Sequence, residues 1–475
     1  MRLYFHHLGL LLTLLLAFVS IPSVAKNTQE NFTGAACIIR ADDKLVMVNE
    51  IITQKLSLPA GRVEAGEDPA KTAQRETWEE TGLVVNAVRV LGQTNNTVFY
   101  DCVSESDIVS FQFNNVHDGC ELPIWFAPHY GVEIASAMLV NPNNIDANEY
   151  RYPDQMGWVK QMLAKATNQS VNYVGNLVEA APHFNQIELS WMLKLQHVVA
   201  ALPESIRDTI RGSIMSGNVF SLPFLLIMLL PFVYLRYGKH FSYKIFFAIT
   251  VTALMSIVAQ QGFAFPRPHV YLPAVELIDT YGYSFPSKSV AIWMCVGVLL
   301  LHAENKLSIN PLSVAILGIV TWLGLAKFYT GSAFIVDILS GALLGFLCAW
   351  HIIRLEVKPE VDTRKLLTSK IVWAGLLVIC TFAGLFWPSP VMAHWFAVIT
   401  TVLILVSTLK DNNRMVSSST VYLVTIALLA MNVALTLAVE AVSYSTGLSL
   451  AVELVRYPLI IALFVVTVRK VQQAA

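Results

Sequence analysis

From Val219 onward the chain is written largely in apolar residues, and no other feature restricts its fold as strongly. Nine apolar runs begin near Val219, Ile245, Val290, Pro311, Ala333, Ile371, Val391, Thr420 and Ser449. Several are close to the minimum of about 20 residues that spans a bilayer as a helix. Hydrocarbon offers the backbone no hydrogen-bond partners, so an all-α polytopic membrane domain is expected. The 55% hydrophobic content and mean hydropathy of +0.56 over 475 residues exclude an enzyme that is soluble throughout.

The connections between the runs alternate in charge. Arg236, Lys239 and Lys244 follow the first run, Lys306 the third, and Arg354, Lys358, Arg364, Lys365 and Lys370 the fifth. Lys410 and Arg414 follow the seventh, and Arg469 and Lys470 the ninth. The positive-inside rule makes these connections cytoplasmic. The opposite connections hold only Arg267, Lys288, Lys327 and Arg456, and are expected to face outward. At the other end of the chain, Arg2, the run Leu8 to Val19, and small residues at Ser23 and Ala25 read as a secretory signal peptide over residues 1–25. An uncleaved anchor is the competing reading, but the run is short for a span. Either way the segment that follows is exported, so both signals place it on the outer, periplasmic side of the cytoplasmic membrane. With 32 basic and 33 acidic residues there is no electrostatic pull toward nucleic acid, and none is expected as a partner.

That exported segment contains Gly61-Arg-Val-Glu-Ala-Gly-Glu67, continuing through Arg75-Glu-Thr-Trp-Glu-Glu-Thr-Gly-Leu83. Asp68 and Pro69 form a helix start and Gly82 a stop. Within that helix Glu76, Glu79 and Glu80 stand at i, i+3 and i+4, on one narrow face. Like charges so placed repel, and a hard divalent cation reverses the sign of that energy. Arg75, one turn before Glu79, can orient it.

The spacing of Gly61, Glu67, Arg75, Glu76, Glu79, Glu80 and Gly82 resembles the Nudix box, with Thr77 standing where an aliphatic residue is usual. The resemblance implies an α/β Nudix fold, a mixed sheet between helices, over residues 31–166. It implies hydrolysis of a diphosphate linkage, with Mg²⁺ or Mn²⁺ held by Glu76, Glu79 and Glu80, helped by Glu67 and the backbone at Gly61. Gly34 to Arg40 and Lys44 to Asn49 read as a strand pair, Ile108 to Phe113 and Pro123 to Ala127 as later strands, and Trp158, Val159 and Met162 as a closing helix. In an exported domain Cys102 and Cys120 are either bridged or two buried thiols, while Cys37 is expected to pack alone. None of Trp125, Phe126 or Tyr130 has a spacing that names a substrate.

Residues 167–217 read as a helical linker with periodicity from Ile187 to Ala201 and no motif that carries chemistry. Beyond it, residues 218–354 resemble the type 2 phosphatidic acid phosphatase family, a helical membrane fold that removes phosphate from lipid phosphates. Arg267-Pro268 matches its first motif, but Gln260 stands at the lysine position. Pro286-Ser287-Lys288-Ser289 replaces Pro-Ser-Gly-His, and the third motif survives as Lys327 and Asp337 with Ala333 at the nucleophilic histidine. The resemblance implies a site without nucleophile or general acid, in which Arg267, Ser287, Lys288, Lys327 and Asp337 could still bind phosphate. His269 is a conceivable substitute nucleophile. Glu440 and His394 lie near span ends and read as interfacial side chains. Residues 355–475 add further transmembrane helices whose role the sequence does not name.

The expected protein is a multi-pass hydrolase whose exported domain cleaves a nucleotide or lipid-linked diphosphate, taking a phosphorylated small molecule or lipid as substrate. The alternatives are a bifunctional enzyme with a working lipid phosphatase, and a lipid-phosphate binding protein without catalysis.

Overall fold

The computed structural model describes residues 32–115, 117–408 and 416–474. The expected signal peptide, Lys410 and Arg414 fall outside these residues.

The first half is a mixed α/β domain. Strands β1 (Gly34–Ile38), β2 (Arg40–Ala41), β3 (Lys44–Glu50), β4 (Leu56–Ser57) and β5 (Ala60–Arg62) precede helix α1 (Pro69–Thr81). Strands β6 (Val85–Gln93), β7 (Thr97–Ser104), β8 (Ile108–Phe111), β9 (Cys120–Glu121) and β10 (Ile134–Val140) follow, then helix α2 (Met156–Lys165). One sheet runs β5-β1-β7-β6, with β1 and β7 parallel. The second runs through β2-β3-β10-β9, so the chain changes sheets between Ile38 and Arg40. The expected pairing of the first two strands is thus confined to Arg40 and Ala41 opposite Leu45 and Lys44.

Two further expectations are corrected here. Pro123 to Ala127 is not a strand: Pro123 has no N–H for a ladder, and the segment turns, with Ala127 N donating to Ile124 O at 2.9 Å. The disulfide joins Cys37 to Cys102, leaving Cys120 a buried thiol. The parallel pairing of β1 and β7 puts both half-cystines inside one sheet, whereas Cys120 lies in the other. Its half-cystines are 65 residues apart, a loop whose closure in the chain-entropy account contributes about 4 kcal/mol. The α/β fold also runs past residue 166, because β11 (Asn168–Gln169) pairs with β2 and β12 (Val171–Val174) with β8.

The second half is helical: α3 (His183–Ala200), α4 (Glu204–Ser216), α5 (Pro223–Phe263), α6 (Pro268–Tyr271), α7 (Lys288–Ala303), α8 (Pro311–Tyr329) and α9 (Ile335–Val357). These are followed by α10 (Thr363–Leu367), α11 (Lys370–Phe386), α12 (Pro390–Ser407), α13 (Ser418–Ala441) and α14 (Thr446–Ala474). Among the described residues six helical segments are long and apolar enough to cross a membrane: Lys239–Phe263, α8, α9, α12, α13 and Thr446–Arg469. They match six of the nine expected runs. The run near Val219 falls on α4 and the first part of α5, bent by 65° from one another, and α5 breaks again at Gly238, whose φ is 80°. The runs near Val290 and Ile371 fall on α7 and α11, of 16 and 17 residues, about 24–26 Å long at 1.5 Å per residue. α7 is enclosed by protein. Its Val290, Cys295 and Leu299 are fully buried, and α9 approaches so closely that a Cβ on Gly341 would lie 2.5 Å from Ser287 O and one on Gly345 2.1 Å from Ala291 O.

The two halves are docked. Trp125 meets Tyr271 at a ring-centroid distance of 5.8 Å, Tyr130 meets Tyr283 at 6.0 Å, and Leu177 N donates to Tyr271 O at 2.8 Å. Gly131 abuts Gly282, where a Cβ would come within 2.6 Å of the facing Cα. The α/β domain therefore sits on the end of the helical bundle that carries Arg267 and Lys288.

Candidate functional sites

The α1 helix begins and ends where its sequence says it should. Asp68 Oδ1 accepts from Ala70 N at 3.1 Å, Pro69 opens the first turn, and Gly82 closes the helix with φ 70°. Thr77 is completely buried and still satisfied, because its hydroxyl donates to Ala73 O at 2.7 Å. That bond lets a polar residue occupy an inward position normally held by an aliphatic one.

Glu76 and Glu79 converge with His129, a residue the sequence reading missed, each offering one ligand atom within 4.8 Å of the others. His129 is delivered by the turn that follows Pro123, where its N–H donates to Glu79 O at 2.8 Å. Its Nε2 lies 3.7 Å from Glu79 Oε2 and its Nδ1 3.6 Å from Glu133 Oε2. The ligand set fits a divalent cation, since carboxylate oxygens suit Mg²⁺ and an imidazole adds a donor acceptable to Mn²⁺.

Gly61 is part of the same construction. A Cβ there would stand 1.9 Å from Glu76 Cδ, so the carboxylate occupies the space that a side chain would take. Gly61→Ala is expected to expel Glu76 and lower kcat about tenfold with an unchanged circular dichroism spectrum, as a loss of ligand positioning does. Retained kcat would show that Glu76 is not needed where it stands.

The other box residues have distinct places. Arg75 grips Glu67 through Nε (3.0 Å to Oε1) and Nη2 (3.1 Å to Oε2), and its Nη1 donates to Glu76 at 2.8 Å and to Glu79 at 3.0 Å. The bond from Arg75 holds the Glu67 carboxyl down at about 2. Burial raises Glu76 above the usual carboxylate range, partly offset by Arg75. Glu80 lines the same cavity but turns to Ala60 N, from which Oε2 accepts at 3.1 Å. Burial, and then the Glu76 charge, push Glu80 well up.

In the membrane half, Arg267 donates to three carbonyls, Tyr281 O at 2.9 Å, Ser332 O at 2.5 Å and Tyr283 O at 3.2 Å, and so ties the connections together. Ser332, whose carbonyl holds Arg267, donates through its N–H to Lys327 O at 2.9 Å, and Lys288 opens α7 directly after Ser287, so these connections gather the three cationic residues at one end of the bundle. Ser287 N donates to Asp337 O at 2.9 Å, and Asp337 Oδ2 accepts from Phe334 N at 2.8 Å. Gln260, at the motif's lysine position, donates to Pro286 O at 2.8 Å, Ser289 faces Ser221 at 3.4 Å, and Ala333 is buried. His269 lies 3.3 Å from Thr280 Oγ1 and 3.6 Å from Glu276, and burial depresses its imidazole to about 3. The linker contributes as well. Glu188 is fully buried, accepts from Ile335 N at 2.6 Å, and so caps α9 beside Asp337.

Family models match residues 31–156 as a NUDIX domain and residues 241–359 as the PAP2 superfamily. Curated relatives include an RNA pyrophosphohydrolase of Bartonella bacilliformis, 27% identical over 108 residues, which are 23% of this chain and 59% of that protein. Another is the phosphatase NudJ of Escherichia coli K12, 44% identical over 50 residues, 10% of this chain and 33% of that one. The chain thus spans little more than half the length, or less, of these relatives. A PAP2-type phosphatidylglycerolphosphate phosphatase from Bacillus subtilis has a structure alignable over 39% of this chain and 94% of its own, at 19% identity and a TM-score of 0.30. The chain is a multi-pass membrane protein that carries a NUDIX domain over residues 31–156 and a PAP2-superfamily domain over residues 241–359.

Proposed function

We propose that this protein is a metal-dependent hydrolase of a diphosphate linkage, working on the outer face of the cytoplasmic membrane. The observation that carries this reading is the convergence of Glu76, Glu79 and His129 beside Gly61. Glu76, Glu79 and His129 would hold Mg²⁺ or Mn²⁺, with Glu80 across the cavity and Glu67 fixing Arg75. Such an ion supplies Lewis-acid stabilisation of the phosphoryl charge. Arg75 keeps Glu76 and Glu79 in place, and the turn at His129 does the same from the other side. Glu80, which lines the cavity without joining that cluster of ligand atoms, is the box carboxylate placed to take a proton from the attacking water.

The membrane half is read as a phosphate-binding site without its own turnover, since Ala333 offers no nucleophile and Ser289 no acid. The disulfide between Cys37 and Cys102 supports an oxidising compartment for the α/β domain. A reporter fused after Gly175, beyond the last strand, is expected to behave as exported, and one fused after Val361 as cytoplasmic. Both reporters on one side would refute that topology. The function itself is tested by phosphate release from the purified full-length chain with Mg²⁺ or Mn²⁺. The panel is nucleotide sugars, dinucleoside polyphosphates, RNA with a 5′ polyphosphate, nucleotide-lipids and prenyl diphosphates. Turnover that is abolished by chelation supports the reading, and turnover indifferent to chelation overturns it.

A further inference from the structure

The helices beyond the PAP2 match have no assigned role, yet α11, α12 and α14 form one wall of the cavity that Glu76 and Glu80 line. This cavity, of about 1310 Å³, is lined at its head by Gly61, Glu76, Glu80 and His129. The rest of it runs between helices. On α12 the lining residues recur at Ala393, Phe396, Thr400 and Ile404, on α11 at Leu377, Thr381, Gly384 and Leu385, and on α14 at Thr446, Leu450 and Leu454. Each set is a single helical face. From Pro390 to Ile404 the groove descends about 20 Å along α12, at 1.5 Å per residue, into a hydrocarbon layer roughly 30 Å thick. Arg151 stands where the two parts meet. It pairs with Glu50 at 2.8 Å and donates to Thr446 Oγ1 at 2.5 Å, while its Nε is buried without a partner.

The geometry points to a diphosphate ester of a long apolar alcohol as the substrate, with its diphosphate at Glu76, Glu79 and His129 and its chain in the α11–α12–α14 groove. This rests on the hydrolase reading above and names its substrate class. A soluble nucleotide would leave the apolar part of the cavity unfilled, whereas one molecule with a charged head and an apolar chain matches both parts. In the reaction, water oxygen bonds to one phosphorus as the bridging P–O bond breaks. The bridging oxygen leaves with the other phosphoryl group, the water proton passes to a box carboxylate, and a monophosphate remains on the lipid when the head is a simple diphosphate.

The test uses the full-length chain in detergent, with dimethylallyl, geranyl, farnesyl and geranylgeranyl diphosphates and a cytidine diphosphate diacylglycerol as probes. In the native chain kcat/KM is expected to rise about tenfold or more with each isoprene unit, since each buried methylene contributes about fourfold. Gly384 has room for a side chain, the nearest atom to a Cβ there being Met392 Cβ at 3.8 Å. Gly384→Phe, and independently Leu450→Trp on the facing helix, are expected to flatten this dependence by raising KM for the long-chain substrates more than for dimethylallyl diphosphate. A diazirine-tagged prenyl diphosphate bound to Glu79→Gln protein should label α11, α12 or α14, which reads occupancy without turnover. Preference between the prenyl and diacylglycerol probes identifies the source of the chain, and a groove-dependent preference for either supports the inference. Hydrolysis that is blind to chain length, equal losses on every substrate, or labelling only elsewhere overturns it while leaving the hydrolase intact. No turnover on any diphosphate would instead sink the hydrolase reading, and the label would still decide the groove.

Discussion

Glu79→Gln is expected to lower kcat by about 10²–10³ with the fold unchanged. The substitution keeps the side-chain volume and can still accept from Arg75, so the α1 helix and its clamp survive. What disappears is one negative ligand of the cluster with Glu76 and His129. A divalent ion stabilises transferring phosphoryl charge by several kcal/mol, and a loss of about 3–4 kcal/mol corresponds to that range of rate. Glu80→Gln makes the sharper control. Its amide oxygen can keep the bond from Ala60 N, so a like loss of rate would report the charge and not the packing. The measurement is turnover with saturating Mg²⁺ or Mn²⁺ on whichever panel substrate the native chain hydrolyses, beside thermal unfolding. Native rates in Glu79→Gln would remove the metal-site assignment.

How much of this was legible in the sequence divides by the range of the interactions. The α1 helix was, because Asp68, Pro69 and Gly82 act within a turn of its ends and the glutamates share a face by spacing alone. The apolar runs were too, since a span is a local property of composition. The side chains that complete the sites are brought in by contacts distant in sequence. His129 arrives two residues after the Pro123 to Ala127 segment, which turns instead of forming the expected strand, and no spacing ties it to the box. The Cys37–Cys102 bridge depends on β1 and β7 being parallel neighbours across 65 residues, which no local pattern encodes. Glu188 sits in a segment with no motif, and its carboxylate matters only because α9 begins beside it. The groove of α11, α12 and α14 becomes functional only through the docking of one half of the chain on the other.

Substituting both Lys288 and Lys327 by Gln should weaken binding of inorganic phosphate and of a short-chain phosphatidic acid by about 10²–10⁴, measured calorimetrically on the full-length Glu79→Gln chain. That background slows the box by the same factor, so phosphate release that survives it and is lost on mutating His269 would come from the membrane half. Lys288 and Lys327 stand at the same end of the bundle as Arg267, which is itself committed to three backbone carbonyls. The lysines, engaged in no side-chain bond among the described residues, are therefore the part of the cluster left to bind an anion, and each charge-assisted bond to an anion contributes about 1.5–3 kcal/mol. Bringing like charges together is costly without a counter-ion, which makes an anion the natural partner of this end of the bundle. The double variant should also bind with a flatter dependence on salt, because screening acts on the charges it has lost. Binding without release is the expected result, since buried Ala333 cannot attack phosphorus and His269 is engaged with Thr280 and Glu276. Unchanged affinity in the double variant would dissolve the proposed site. Steady release from the Glu79→Gln chain, lost in His269→Ala, would establish a working phosphatase in the membrane and make the protein bifunctional.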